Sequence, residues 1–422
     1  MERIRKTLAE GIVLTHLSAD KFKTGLLSVQ FLTPLCENSA SLGALLPAVL
    51  RRGTVQYPDM RALSCALDRL YGASVSYTVR KKGETQCVGF LSSFVDDRFT
   101  PDGEPLLEKM CALLAELLFH PAMEDGVFSE TYVAGERGNL IDEIRALMND
   151  KRDYADLRLL CEMCVGEPYG TERLGGEEAA SAITPQSLTA YYRELLQTAP
   201  VEILYCGSAS FDRVERAVAE ILYFLPAGRR KAVAPTLPHQ PRGEEKRVEE
   251  CMAVTQSKLS LGFSATSDDE IAMMLANLLF GGYSNSKLFL NVREKLSLCY
   301  YASSSYHRSK HLITVSSGIE RGNETLAHGE ILRQLAAVQE GKFEEWELEG
   351  ARNCLLASIR MRDDSPTRME EYYLGQAAVG AKETQEELLQ SLSAVTRERV
   401  IAAAQSIVPD TVYLLKGEGE SK

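Results

Sequence analysis

Two pairs of residues in this chain have types and spacings that could support chemistry, and the first is a pair of carboxylates. Glu136 and Glu143 lie two helical turns apart in the segment ERGNLIDE, within a long stretch of helical periodicity. They are therefore predicted to share one helix face. From the residues alone, an acidic stripe on a solvated helix, with Arg137 and Arg145 as pairing partners, is favoured over a metal site.

The second pair is Arg293 and Tyr300, in the segment GGYSNSKLFLNVREKLSLCYYASSSY. The pattern predicts a helix that ends near Lys295 and a strand that begins at Tyr300. An arginine in the last helical turn is favoured by the helix dipole, and an aromatic residue is ordinary at the start of a strand. Alternatively, guanidinium and phenol converge and donate to a carbonyl oxygen that gains negative charge. The residues alone leave both interpretations open.

Other groups with reactive or metal-binding side chains are better explained by structure. Cys161 and Cys164, in the segment CEMC, have no second pair nearby, so buried apolar cysteines are favoured over metal or redox chemistry. His307 and His311 lie in a predicted strand–turn–strand, where a surface turn is favoured over a ligand pair. The chain has no GxxxxGK[ST], GxGxxG or GxSxG segment, so the sequence does not support nucleotide binding or serine hydrolysis.

The overall composition is that of an acidic globular protein, with a formal net charge of −12 and a pI near 5.2 over 422 residues. An acidic surface argues against nucleic-acid binding and against adhesion to anionic lipid. No apolar run approaches the length of a membrane span, and the N-terminal residues lack the apolar region of a signal peptide. Ten cysteines without framework spacing predict reduced thiols in a cytoplasmic protein.

A segment rich in proline and mixed charge, residues 226–247, divides the chain near its middle and is predicted to be an extended linker with few contacts. The predicted domains are therefore an N-terminal lobe, residues 1–225, and a C-terminal lobe, residues 248–422. Helical segments separate the predicted strands without strict β–α–β alternation. The pattern predicts an α+β fold rather than a doubly wound sheet.

The two halves share sequence plans in the same order, which indicates an internal duplication. Strand-like segments at 25–33 and 258–266 are each followed by helical runs. Residues 183–207 and 395–417 both read as a capped helix, a proline and a short apolar strand that ends in glycine. Two similar lobes are expected from this repetition.

Together these segments resemble the insulinase/pitrilysin family, in particular the branch that includes mitochondrial processing peptidase. The resemblance rests on Arg52-Gly53-Thr54, on YGASVSYT (71–78), on the two glutamates and on FGGYSNSKLFLNVREKLSLCY (280–300). It implies two homologous lobes, each a mostly antiparallel sheet packed with helices. It also implies a zinc ligand at Glu143, a supporting carboxylate at Glu136, and contact between the scissile carbonyl of a peptide and the catalytic pair Arg293 and Tyr300.

The chain departs from the family pattern where zinc should bind. The family motif His-x-x-Glu-His falls on Ala44, Pro47 and Ala48 in SLGALLPAVLRRGT, and none of these side chains can bind a metal. Ser76 stands where the family usually has asparagine, on the strand that binds substrate. The resemblance therefore predicts no metal in this chain.

The expected function is that of a non-catalytic subunit in a heterodimeric zinc peptidase. The partner subunit would carry His-x-x-Glu-His and zinc, whereas this chain would contribute part of the chamber wall and the donors Arg293 and Tyr300. A homodimer is the alternative assembly, and an inert scaffold or peptide-binding protein is the alternative function. A zinc enzyme with a relocated site is disfavoured because the six histidines are scattered. The expected ligand is a peptide or protein, with no nucleic acid and no membrane.

Overall fold

The computed structural model describes residues 2–381 and 383–417, which form two compact units interleaved along the chain. The first unit contains Met1–Arg145, Thr171–Pro235 and Asp363–Ala381, and the second contains Ala146–Gly170, Thr236–Arg362 and Lys382–Lys422. Sheets packed against helices in both units confirm the predicted α+β class. Compared with the predicted lobes 1–225 and 248–422, each compact unit also includes a segment from the other half of the chain.

The strands and helices follow one another in a mixed order. The strands are β1 (Arg3–Ala9), β2 (Ile12–Ser18), β3 (Thr24–Pro34), β4 (Ser74–Lys82), β5 (Thr85–Val95), β6 (Met123–Glu124), β7 (Val127–Phe128), β8 (Val201–Gly207), β9 (Lys246–Met252), β10 (Ser257–Ala265), β11 (Cys299–His307), β12 (Leu312–Ile319) and β13 (Ile407–Gly417). The α-helices are α1 (Glu37–Leu50), α2 (Met60–Arg69), α3 (Leu106–Phe119), α4 (Glu130–Ala146), α5 (Lys151–Met163), α6 (Glu177–Ser181), α7 (Pro185–Thr198), α8 (Phe211–Phe224), α9 (Glu270–Asn277), α10 (Glu324–Gln339), α11 (Glu345–Arg360), α12 (Pro366–Val379), α13 (Gln385–Ser393) and α14 (Arg397–Gln405). Two π-helical segments, Leu278–Gly282 and Leu288–Lys295, follow α9. Among the described residues, no helix is both long enough and apolar enough to cross a membrane.

The two sheets have the same topology. The first unit has the strand order β1-β2-β8-β3-β5-β4, and the second has β11-β12-β10-β13-β9. Counted from the edge strands, β4, β5, β3, β8 and β2 correspond to β11, β12, β10, β13 and β9. Strand β1 is an additional strand of the first unit. The pairs β2–β8 and β9–β13 are parallel, and the other corresponding pairs are antiparallel. This correspondence confirms the predicted duplication and the mostly antiparallel sheets.

Strand β3 is buried on both faces because helices cover both sides of the first sheet. Leu27, Val29 and Phe31 pack into the main core with α1 and α3. On the opposite face, α12 covers the sheet, where Met369 lies against Leu26. The buried polar side chains on this face are hydrogen-bonded: Ser28 Oγ donates to Glu370 of α12, and Gln30 Nε2 donates to the Phe90 carbonyl oxygen.

The second sheet is covered in the same way by α5, a helix from the first half of the chain. Leu159 of α5 packs with Tyr413 and Leu415 of β13. At Gly262 of β10, an added Cβ would lie only 2.5 Å from the Met163 sulfur, so the glycine leaves room for the methionine side chain where helix and strand approach closely. Helices α5 and α12 thus make equivalent contacts, each in the unit opposite to the one expected from the predicted boundaries.

The segment between α8 and β9 has no helix or strand, yet it is fastened to each unit by a buried side chain. Arg230 donates to the carbonyl oxygens of Ala199 and Leu196 at the end of α7, at 2.6 and 3.0 Å. Farther along, the buried His239 contacts Glu167 and Asp410 of the second unit. The expectation of a linker with few contacts is therefore wrong at these two positions, and β9 already begins inside the predicted linker, at Lys246.

Candidate functional site

The positions that correspond to the family's zinc site line one cavity in the first unit. This cavity measures about 300 Å3 and is bordered by Ala44 and Ala48 from α1 and by Glu136 and Glu143 from α4. Both alanines are buried. Pro47 is on a different side of α1, among apolar side chains of β3 and α7. The structure thus brings together four of the five predicted positions.

Glu136 is buried, and both of its carboxylate oxygens are occupied by protein donors. Its Oε1 accepts a hydrogen bond from Arg52 Nη1 at 3.1 Å, and its Oε2 accepts one from Asn139 Nδ2 at 3.0 Å. The Arg52 guanidinium also stacks over the Tyr132 ring, 5.4 Å from its centroid. A fixed guanidinium therefore neutralises this carboxylate. The interpretation of Glu136 as part of a solvated acidic stripe is wrong.

Glu143 is half-exposed and lies 3.7 Å from Arg173 Nη2, too far for a hydrogen bond. The predicted pairing of Arg137 and Arg145 with the two glutamates is also wrong. Arg137 donates to a backbone carbonyl oxygen at 2.6 Å, and Arg145 pairs with Glu177 on α6. Arg173 could not be identified from the sequence as a neighbour of Glu143, because the whole of α5 separates the two residues in the chain.

Tyr77 of β4 completes the polar side of the cavity. Burial raises the pKa of its phenol, and the charges of Glu143 and Glu136 raise it further. Its neighbour Ser76 is exposed on the same strand, and β4 forms one edge of the sheet. The substrate-strand position of the family is thus an edge strand in this chain, as the resemblance implies.

Zinc does not fit this cavity. A zinc site requires at least three protein ligands. Ala44 and Ala48 carry only methyl groups, and Glu136 is already bound by Arg52 and Asn139. Glu143 alone remains, and a single carboxylate does not hold the ion.

We expect the substitution Glu143→Gln to leave the zinc content of the purified chain unchanged, because the cavity supplies no other free ligand. Metal analysis after dialysis against zinc checks this result. A loss of about one zinc per chain in the variant, relative to the unsubstituted chain, would contradict the assignment of this cavity as metal-free.

Arg293 is near the end of the π-helical segment Leu288–Lys295, and its side chain is 42% exposed. The guanidinium carbon is 4.7 Å from the centroid of the Phe289 ring, and Nε is 3.5 Å from Glu294 Oε1. These are weak surface contacts. They leave most of the donor fork of Arg293 open to solvent.

A tight reversal of the chain connects Arg293 to β11. Ser297 has a left-handed backbone with φ of 51°, and its N–H donates to the Arg293 carbonyl oxygen at 3.0 Å. The next N–H, from the buried Leu298, donates to Val292 at 3.0 Å. These bonds satisfy carbonyl groups at the helix end, as in common C-terminal caps. The end of the π-helical segment and the start of β11 are therefore joined by only a few residues, as the sequence predicts.

Tyr300 is at an irregularity of the edge strand β11. Cys299 pairs with Ile319 and Tyr301 with Gly318, so Tyr300 is the extra residue of a β-bulge. Its ring is 63% exposed, and its hydroxyl donates to Glu320 Oε1 at 3.2 Å. A bulge redirects a side chain out of the regular pleat.

The positive charge of Arg293 influences the buried thiol of Cys299, the residue before the bulge. Burial raises the pKa of the Cys299 thiol, whereas a hydrogen bond with Ser317 and the positive charge of Arg293 lower it. The guanidinium thus acts on the residue that precedes Tyr300. Contact of the Arg293 and Tyr300 side chains with the carbonyl group of a substrate stays a prediction.

The two histidines of the predicted turn do not form a metal site. His307 Nδ1 is 3.1 Å from the Tyr169 hydroxyl, and its Nε2 is 3.0 Å from Thr314 Oγ1. His311 has a left-handed backbone and contacts Glu270 at 3.3 Å. The favoured interpretation of this region as a turn between strands is confirmed.

Comparison with known proteins assigns the family. A family model described as the peptidase M16 inactive domain matches residues 182–355. The chain is also 35% identical over 416 residues to a probable inactive metalloprotease, YmfF of Bacillus subtilis (strain 168), with 97% of each chain covered. This chain belongs to the M16 peptidase family. Like that relative, it is an inactive metalloprotease-like member, which agrees with the lost motif at Ala44, Pro47 and Ala48.

Solved structures support the same fold for this M16 chain. A conserved protein from Enterococcus faecalis V583 matches it over 100% of both chains, with a TM-score of 0.90 and 28% identity. A protease from Helicobacter pylori matches 98% of this chain and 99% of its own, with a TM-score of 0.82 and 14% identity. The second likeness concerns the fold alone.

Proposed function

We propose that this chain is the non-catalytic subunit of a heterodimeric M16 metallopeptidase. Its partner carries His-x-x-Glu-His, the zinc ion and the glutamate that activates water. This chain contributes part of the chamber wall and donates hydrogen bonds from Arg293 and Tyr300 to the scissile carbonyl of a peptide. The observation that carries the proposal is that both donors are exposed in a chain whose own zinc cavity has lost its metal ligands.

The difference between the cavity of the first unit and the pair Arg293 and Tyr300 supports a chain that binds no zinc itself but donates hydrogen bonds to a substrate. In the cavity of the first unit, Glu136 is bound by Arg52, so its charge is already neutralised. Arg293 contacts Phe289 and Glu294, and Tyr300 contacts Glu320, all at the surface, where a substrate can replace such contacts at small cost. Loss of metal chemistry with retention of accessible donors is expected for a subunit that assists a partner's site.

An inert scaffold or peptide-binding protein is the second candidate, and β4 favours it. This strand forms one edge of the first sheet and carries the exposed Ser76 next to the cavity residue Tyr77. An edge strand can pair with an extended peptide without any hydrolysis. A binding protein needs no donors at a scissile bond, so the two functions differ in their dependence on Arg293 and Tyr300.

We propose that the protein acts in the cytoplasm. Among the described residues the ten cysteines form no disulfide, as expected in a reducing compartment.

The assembly is tested by affinity capture of the tagged full-length chain from native lysate, followed by native mass spectrometry. We expect a one-to-one complex with an M16 chain that contains His-x-x-Glu-His. A tagged chain recovered solely as a monomer or homodimer, also after addition of a purified M16 partner from the same genome, would overturn the heterodimer.

A further inference from the structure

A second group of metal-binding side chains lies in the second unit, away from the family's zinc position. Cys164 caps the end of α5, Glu167 follows in the next turn, and His239 comes from the segment before β9. One ligand atom from each lies within 4.8 Å of the others. Cys164 and His239 are buried, so three residues from two distant chain segments converge in the interior.

The orientation of His239 is fixed by a carboxylate on each ring nitrogen. Nδ1 is 2.6 Å from Glu167 Oε1, and Nε2 is 3.2 Å from Asp410 Oδ2. Asp410 is itself held by Thr411 Oγ1, which donates to its Oδ1 at 2.8 Å. A buried carboxylate behind a histidine is the usual support for an imidazole that binds a metal through its other nitrogen.

Basic side chains hold the outer oxygens of the two carboxylates. The buried Lys310 lies 2.5 Å from Glu167 Oε2, and the more exposed Arg242 lies 3.6 Å from Asp410 Oδ1. Glu167 Oε1 is directed at His239 Nδ1, so an ion bound between these two atoms would replace their contact while Oε2 keeps its pair with Lys310. A Cys164 thiolate and the Glu167 carboxylate would supply two negative charges, which match a divalent cation.

We propose that Cys164, Glu167 and His239 bind a zinc-class divalent cation, with Asp410 as the residue that positions His239. Sulfur, nitrogen and oxygen ligands of this kind are those that zinc prefers. At a tetrahedral ion, neighbouring nitrogen and oxygen ligands are about 3.3 Å apart, so His239 and Glu167 would separate by roughly 0.7 Å. The ion displaces the protons of the thiol and the imidazole on binding.

The consequence of this site is structural rather than catalytic. His239 belongs to the proline-rich segment 226–245, and Cys164 and Glu167 belong to the segment that ends α5. A metal ion held by both would fasten the two segments within the second unit. The proposal is independent of the proposed function and departs from the expectation that this chain holds no metal.

Cobalt(II) titration of the reduced, dialysed full-length chain tests the site. We expect about one ion per chain, with tetrahedral d–d bands and the near-ultraviolet charge-transfer band of a cobalt–thiolate bond. Cys164→Ser should abolish the charge-transfer band, whereas the matched control Cys161→Ser should leave it unchanged. Asp410→Asn should weaken binding about 10–100-fold, as expected for loss of a residue that orients a ligand.

Two results would overturn the proposal. One is a folded, unsubstituted chain that binds no cobalt at millimolar concentration. The other is a charge-transfer band that survives in Cys164→Ser. X-ray absorption of the zinc-loaded unsubstituted chain provides a measurement that does not depend on folding of the variants: one sulfur ligand per zinc supports the site, and zinc without sulfur contradicts it.

Discussion

Replacing Arg293 by alanine is expected to lower the turnover of the assembled peptidase about 10²–10³-fold, because the loss of one preorganised donor at an oxyanion has that effect. Arg293→Lys should restore little activity, since lysine lacks the planar fork of arginine. Tyr300→Phe removes only a hydroxyl from an exposed ring and should also lower turnover. The readout is kcat for a fluorogenic peptide, with assembly and zinc content measured on the same samples.

The matched control for Arg293 is Lys295→Ala, which removes an exposed positive charge two residues farther along. It should leave kcat within about threefold, whereas Arg293→Ala should not. If Arg293→Ala and Tyr300→Phe both assemble normally and keep turnover within that limit, the donor role is excluded. The scaffold function then takes its place.

The second large effect concerns stability, at the buried ion pair that ties α12 to the first sheet. Glu370 is fully buried and accepts from Arg80 through two bonds of 2.6 and 2.8 Å, and Ser28 Oγ donates to it at 2.7 Å. Glu370→Ala removes the buried carboxylate of Arg80 and leaves its largely buried guanidinium with the half-exposed Glu371, at 3.1 Å. We expect a loss of about 3–5 kcal/mol in the free energy of unfolding, measured by urea denaturation.

Two further variants separate this ion pair from other effects. Glu371→Ala removes the neighbouring half-exposed carboxylate and should cost less than about 1 kcal/mol. The double variant Arg80→Met with Glu370→Leu replaces both charges by apolar groups and should recover most of the lost stability. A cost below about 1 kcal/mol for Glu370→Ala would show that α12 is not held by this pair.

The sequence predicts those parts of the fold that depend on local patterns. The correspondence of β3 with β10, and of α7–β8 with α14–β13, follows from apolar runs, capping threonines and glycines that lie close together in the chain. Strand β1 is hard to predict from sequence, since the alternation in RIRKTLA is mostly polar and the strand is largely exposed. The buried strand β2, IVLTHLS, does carry an apolar strand pattern. The first two residues of β9 fall within the predicted linker because this strand alternates between partly buried and exposed positions.

The sequence does not predict that α5 belongs to the second unit and α12 to the first, because the contacts that hold these helices join residues far apart in the sequence. Ser28 and Glu370 are separated by 342 positions, and Asp156 of α5 accepts from Ser260 across 104 positions. The same limit applies to the cavity: Arg52 pairs with Glu136 across 84 positions, whereas the sequence pattern indicates only the local candidates Arg137 and Arg145.

The central claim, that this M16 chain assists zinc chemistry that its partner performs, is tested most directly by peptide hydrolysis. The rate is measured for this chain, for an M16 partner with His-x-x-Glu-His, and for the two mixed in equal amounts. We predict no cleavage by this chain, little by the partner alone, and a large increase in kcat/KM for the mixture. Equal rates for the partner with and without this chain would contradict it.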